Sequence, residues 1–416
     1  MEPQERRNAL YYALGEGIWG LGVGLVAPLT VLPLLIAALG GGAIEIGLMY
    51  SIVTAGFLIT QPVGTLLWQH GGGKRSFLLT YWTLTTVPVF LAGAAVMWLL
   101  AGNPDSRGLA RALIMALFAL RVFLTGAALP LWQDWVYGLF SVRSRGRAAG
   151  LWAAASALGI SVAAAAAAKI SQAFSFPLGY ALLFAGAAVF FGASMGAFGS
   201  VSAGQPRPSE SRPTLRELLG WFRHSLREVN YTHFLFARVL LAFGAGAMTF
   251  VAVHFSSAEG GGLSGATVIA LGAFLTLAQA AACLWLGFVG DRAGHRIGVL
   301  CGAMAQLAGL AIAFFGQGPL ACTLSFVCLG VACGAAIVSH NQMNYETCPH
   351  ENRVVHITLS NLVLGPFVAA VPVGAGYLVM HIGRANTFAV SLVPTVLAIL
   401  WLLVRVRDPR DAAKAA

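Results

Sequence analysis

Residues 287–296 read GFVGDRAGHR, an acid, two arginines and a histidine set among glycines. Apolar runs flank this turn on both sides. In a chain that is 58% hydrophobic and only 10% charged, charge gathered into one short turn marks a place where the chain leaves an apolar solvent. A soluble domain carries about 25% charged residues, and a 416-residue soluble fold would need far more polar surface than this chain supplies. Apolar stretches of about 20 residues, the length that crosses a bilayer, recur from one end to the other. The composition is that of a polytopic membrane protein.

The apolar runs resolve into twelve spans, at 9–39, 43–68, 76–101, 108–138, 148–172, 177–199, 231–256, 264–289, 297–316, 319–345, 354–380 and 385–404. They lack the alternation of membrane strands, so helices are expected. With both termini in the cytoplasm, 19 of the 25 Lys and Arg residues fall on the cytoplasmic side. Arg107, Arg111, Lys169 and Arg384 face the other way, and Arg121 and Arg238 lie inside spans. The positive-inside rule then sets the topology, with a bacterial inner (plasma) membrane as the expected location. The net charge of +10 sits in turns and tails. No basic patch interleaved with aromatics accompanies it, which argues against a nucleic-acid partner. None of the six cysteines forms a C-x-x-C pair and five lie in apolar segments, where they read as packing residues. No metal site is expected. The N-terminal MEPQERR leads into a long span carrying Glu16, read as a retained helix and not a removed signal peptide.

One long polar segment, 200–230, interrupts the pattern. Its Pro/Ser-rich start is followed by TLRELLGWFRHSLREV, in which Leu215, Leu218, Leu219, Phe222 and Leu226 recur at helical spacing. An amphipathic helix on the cytoplasmic membrane face is expected. This linker separates an N-terminal six-helix unit (1–199) from a C-terminal one (231–405), with 406–416 as a cytoplasmic tail. The halves repeat. Asn8 through Glu16 aligns with Asn230 through Arg238, after which Gly22 and Gly24 fall opposite Gly244 and Gly246. GTLLWQHGGGK at 64–74 aligns with GFVGDRAGHRI at 287–297, placing Trp68 opposite Asp291. Two six-helix bundles related by duplication are a transporter architecture.

The turn Gly287-x-x-x-Asp291-Arg292-x-Gly294-x-Arg296 resembles the hallmark loop G-x-x-x-D-R-x-G-x-R of the major facilitator superfamily. The stretch Phe140–Gly150, with Arg143, Arg145 and Arg147, resembles the loop between the fourth and fifth helices of that superfamily. With twelve spans and the half-chain repeat, the resemblance covers nearly the whole chain. It implies an all-α membrane protein of twelve transmembrane helices in two pseudo-symmetric six-helix bundles. It also implies a cytoplasmic latch, in which Asp291 meets the start of the fifth helix and pairs with Arg143, Arg145 or Arg147 when the inner side closes. The first-half copy of the loop has no acid, so the second-half latch should dominate. The fifth helix lacks the G-P pair seen in drug/proton antiporters of the superfamily; Gly365-Pro366 stands in the eleventh instead.

Ionisable groups at membrane depth cost at least about 2.5 kcal/mol and are functional candidates by default. Glu16, Arg121 and Arg238 lie on the first, fourth and seventh spans, helices that line the central cavity in the superfamily. All three are expected to face it. Glu16 and Arg238 are repeat equivalents, which invites an ion pair across the halves and makes Glu16 the candidate proton carrier; a structural pair with no coupling role is the rival reading. Asp134, Asn344 and Arg353 are candidates for an inner gate. Gln61, Gln279, Asn341 and Asn361 are candidates for lining the path.

The expected function is secondary-active transport of a small solute by alternating access, through proton-coupled export (antiport). No Walker-type motif is present, so energy would come from protons or another coupling ion, and no cofactor is implied. The partners expected are a small-molecule substrate and the lipid bilayer, with the protein a monomer. The alternatives are a facilitator or symporter for sugars or organic anions, and a non-transporting assembly or sensory protein. No catalytic pair or metal motif sits at mid-membrane, which argues against an enzyme.

Overall fold

The computed structural model describes residues 2–67, 75–140, 145–202, 223, 225–347 and 353–408. Every regular element among them is helical. The N-terminal half holds α1 (Pro3–Leu25), α2 (Val31–Ala38), α3 (Ala43–Leu67), α4 (Arg75–Leu99), α5 (Arg107–Gly138), α6 (Arg145–Ala173) and α7 (Leu178–Gly199). The C-terminal half holds α8 (Val229–Ala245), α9 (Val251–Ser256), α10 (Gly265–Ala293), α11 (His295–Phe315), α12 (Gly318–Ile337), α13 (Ser339–Glu346) and α14 (Arg353–Val404). α14 is two rods meeting at Gly383, whose φ of 82° only glycine adopts without strain. Nine helices among the described residues are long and apolar enough to cross a membrane, the two rods of α14 counting as one. The first span, broken after Leu25, and α3, apolar over Ala43–Phe57, bring the crossings to the expected twelve. The amphipathic stretch proposed over 214–229 lies mostly outside the described residues.

The first span departs from the single helix expected over 9–39. Pro28 lacks the N–H that would continue the ladder and disfavours helical geometry at Ala27. The chain turns at 26–30 and restarts as α2. Its repeat partner breaks at the equivalent depth, where α8 passes through a 3-10 turn (Gly246–Phe250) before α9. Broken helices on the bundle-lining spans are a recurrent feature of transporter folds.

The repeat extends to individual contacts. The Asn8 side chain donates to Ser202 Oγ (2.9 Å) and accepts from the Ser202 N–H (3.2 Å). Asn230, its equivalent, donates to the Arg407 carbonyl (3.0 Å) and accepts from the Arg407 N–H (2.8 Å). Each asparagine thus ties the start of its bundle's first helix to the chain just past the last. Arg75 donates to the Val201 carbonyl beyond α7, while Arg296 donates to the Leu402 and Leu403 carbonyls at the end of α14 (3.0 and 2.9 Å). Both arginines satisfy carbonyls that a helix end leaves without partners. Gly22 and Gly244 abut the last helix of their respective bundles (Phe191; Ser391 and Thr395), and Gly24 and Gly246 abut the fifth (Ile160; Val371). The segment expected as a tail therefore begins as part of the core, with Val406 and Asp408 buried.

The bundles meet through α3 with α14 and α6 with α10. At one end this contact is tight. A Cβ on Gly47 would collide with the Pro372 carbonyl, and one on Gly376 with the Ala43 carbonyl. In lipid, where apolar side chains gain little by leaving the solvent, such close backbone approach is what holds helices together. Farther along, Ser161 and Thr276 share a hydrogen bond (2.9 Å). One apolar cluster spans both halves at the end away from the chain termini, joining Leu25, Val31 and Leu35 to Phe250, Phe255 and Val268. At the terminal end the clusters are private to one bundle, around Trp82 and Trp132 in the first and Phe234 and Leu402 in the second. Among the described residues, the apolar core shared by the two bundles thus lies at the far end, and the terminal-end cores belong to one bundle each.

The paired asparagines carry a prediction. Asn230→Ala removes both bonds to Arg407 and should cost about 1–3 kcal/mol, read as a lowered unfolding midpoint in detergent. Asn8→Ala should act in the same direction, and no loss in either would show the clamp to be idle.

Candidate functional site

The geometry around Glu16 begins with backbone packing. α1 and α6 approach so closely that a Cβ on Gly20 would strike the Ser156 carbonyl and one on Gly159 the Gly17 carbonyl. That approach carries Glu16 up to Ser156, whose hydroxyl bonds the carboxylate, and Tyr12, one turn earlier on α1, supplies a second hydroxyl. Trp132 Nε1–H donates to the Tyr12 oxygen (2.9 Å). With its lone pair so occupied, the tyrosine turns its own proton to Glu16, and the chain Trp132, Tyr12, Glu16 is polarised in one sense.

Glu16 opens onto a cavity of about 340 Å³ inside the terminal half of the N-terminal bundle. The walls are mostly aromatic. α1 contributes Tyr12 and Trp19, α4 Trp82, α5 Trp132, α6 Trp152 and α7 Phe198. The rings brace one another: Tyr12 lies edge-on to Trp152 (centroids 4.9 Å apart), and Trp132 packs against Trp82 and Phe198 at 4.8 and 5.1 Å. Among the described lining residues Glu16 is the one ionisable carboxylate, and no lysine, arginine or histidine joins it. The aromatic walls escaped sequence reading. Their one signal is that seven of the ten tryptophans precede residue 200, a bias that membrane-interface anchoring explains equally well.

The three intramembrane charges do not meet. Glu16 is satisfied within the first bundle. Arg238 donates to Ser360 Oγ (2.6 Å) and lies over the Phe234 ring within the second. Among the described residues the ion pairs are Arg111–Glu45 and Arg384–Glu259, at 3.2 and 3.5 Å, so the cross-bundle pair expected from the repeat is not formed in this conformation. The repeat instead gives each charge a serine on the fifth helix of its own bundle. Arg121 also departs from expectation. It is 7% exposed and stands outside the cavity lining, enclosed by Trp19, Phe90 and Phe191 at 5.8, 5.3 and 5.5 Å, with its Nε making no hydrogen bond.

Part of the hallmark turn braces its own bundle. Gly294, at φ 90°, ends α10 where any side chain would collide with the Asp408 carboxylate, and Arg296 holds the end of α14. Both serve the frame of their own bundle, and sequence reading missed Asp408. Arg292 is exposed and lies over Phe288 at 4.0 Å. Gly287 lies within α10 beside Val338. The side chains of Asp291, Arg145 and Arg147, and all of Arg143, lie outside the described residues, as do the side chains of Asp134, Gln61 and Arg353. Asn344 is buried, Asn341 is exposed and donates to the Ile337 carbonyl (2.8 Å), and Gln279 and Asn361 are half-buried.

A buried cation held by rings alone yields a further prediction. Burying an unpaired charge carries a desolvation penalty that an apolar side chain of similar size does not. Arg121→Leu should therefore keep or raise the unfolding midpoint in detergent. A marked drop would mean that the guanidinium is structurally required.

Comparison with known proteins bears on the C-terminal part and on the fold. Residues 234–416 match the model of the Major Facilitator Superfamily. No curated protein sequence matches the chain. The fold is shared with a variant of the nucleoside transporter NupG (11% identity, TM-score 0.72, covering 97% of this chain and 100% of that one). It is shared also with a bacterial homologue of the human lysosomal transporter Spinster in its inward-facing, unoccupied conformation (13%, 0.65, 100% and 98%). The human organic anion transporter MFSD10 is a third neighbour (18%, 0.58, 96% and 100%). The family model thus matches the C-terminal part of the chain, and the whole chain has the fold of these transporters, that of a multi-pass membrane protein.

Proposed function

We propose that the protein moves a small solute across a bacterial inner membrane by alternating access, as a proton-coupled exporter with both termini in the cytoplasm. One observation carries this reading: among the described residues the bundles share an apolar core at the far end and have separate cores at the terminal end. A two-bundle molecule joined at one end and free to part at the other supports one of the two states that alternating access requires. The likeness to the inward-facing Spinster homologue supports the same assignment of sides.

In this state the Glu16 chamber is reached from the terminal side. Solute entering there meets a carboxylate already oriented by Tyr12 and Ser156. Proton and solute compete for that group. Exchange follows if the bundles reverse only when one of them is bound. When the terminal side closes, Asp291 meets the start of α6 and its Arg143, Arg145 or Arg147, and the far-end seal opens. The protein works as a monomer, since each bundle pair forms its own path.

The test uses purified protein in proteoliposomes. Glu16→Gln should abolish solute flux driven by a pH gradient, while counterflow, which needs binding and bundle reversal but no proton, should persist at raised solute concentration. Driven flux equal to that of the unaltered protein would remove Glu16 from the coupling step.

A further inference from the structure

We propose that the chamber beside Glu16 is a binding site for a monovalent organic cation, a substituted ammonium carrying an apolar or aromatic group. The inference rests on the transport reading but names the cargo chemistry. Three features of the site point to it. First, among the described lining residues Glu16 stands alone as an ionisable carboxylate, and none of them is a lysine, arginine or histidine that could receive an anion. Second, the walls present the faces and edges of Tyr12, Trp19, Trp132 and Trp152 around that carboxylate. Aromatic faces attract cations, tryptophan most strongly, and a cage of them is the established way to recognise alkylated ammonium groups, whose methyls cannot hydrogen-bond. Third, Arg121, whose guanidinium lies over the Trp19 ring at 5.8 Å, is buried among rings outside the described lining and does not place its charge on the chamber wall.

The volume of about 340 Å³ lies at the lower end of small-molecule sites, about 300–1,000 Å³. It admits a single-ring amine and excludes an oligosaccharide or a peptide. Carboxylate and rings divide the work. Glu16 supplies charge, and the rings replace the water that a hydrophobic cation loses on entry, which a sugar's hydroxyls would not regain here. The Tyr12 and Ser156 hydroxyls hold the carboxylate in place with or without cargo.

The test is binding of benzyltrimethylammonium to the purified full-length protein, read as tryptophan fluorescence quenching, with benzenesulfonate as a ring-bearing ion of opposite charge. Saturable quenching by the cation and none by the sulfonate is expected. Glu16→Gln should weaken the cation about tenfold or more, as loss of a charged partner does, and Glu16→Asp should retain most of the affinity. Trp152→Ala should weaken it about threefold to tenfold through lost cation–π attraction. Trp98→Phe, on the exposed face of α4, should leave it unchanged. Equal binding of both ions, or cation affinity indifferent to Glu16→Gln, overturns the proposal. If a variant does not fold, the comparison of the two ions on the unaltered protein decides alone. Cation binding without flux in proteoliposomes would refute the transport reading and keep the site. Gradient-driven flux of another solute without cation binding would do the reverse.

Discussion

The structure turns on how closely two backbones can approach. At the end away from the termini, α3 and α14 touch through Gly47 and Gly376, where no side chain fits between helix and neighbouring carbonyl. In lipid, such contact supplies dispersion along whole helix faces without an apolar driving force. It fixes one end of the molecule, while at the terminal end the described cores are private to one bundle each. Two bodies held most tightly at one end can rock about it.

The rigidity of each body comes from its own clamps. Asn8 and Asn230, Arg75 and Arg296 fasten the first and last helices of each bundle by side chain to backbone. The intramembrane charges follow the same rule. Glu16 and Arg238 each take a serine from the fifth helix of their own bundle and ignore each other. A pair across the divide would leave two uncompensated charges whenever the bundles parted, at a cost of several kcal/mol. Charges satisfied at home let the bundles separate without that penalty.

Much of the fold was legible in the sequence, because hydropathy in a membrane chain is a direct record of which segments must hide their backbone polar groups. Twelve crossings, the two halves and the equivalence of Asn8 with Asn230 could all be read from apolar length and spacing. The Pro28 break passed unnoticed inside a run long enough to look continuous. The site was half legible: Glu16 announced itself as a charge at depth, whereas its walls did not. Trp19, Trp82, Trp132 and Trp152 stand on four different helices, and only tertiary packing brings them around one carboxylate. The inferred Glu16–Arg238 pair shows the limit of repeat reasoning, since equivalent positions in two bundles share an environment but need not share a contact. The same holds for Arg296, whose motif suggests a gate and whose hydrogen bonds belong to the end of α14.

The central claim is that the bundles move as bodies about a shared axis. Spin labels on a background without native cysteines test it directly, one pair at Gly138 and Ala293 on the terminal side, another at Gly108 and Asn386 on the far side. Distances measured by pulsed dipolar spectroscopy in nanodiscs, at acidic and at neutral pH, should change in opposite senses, the terminal pair shortening in any population where the far pair lengthens. Two distances that stay fixed, or that lengthen together, would contradict the account.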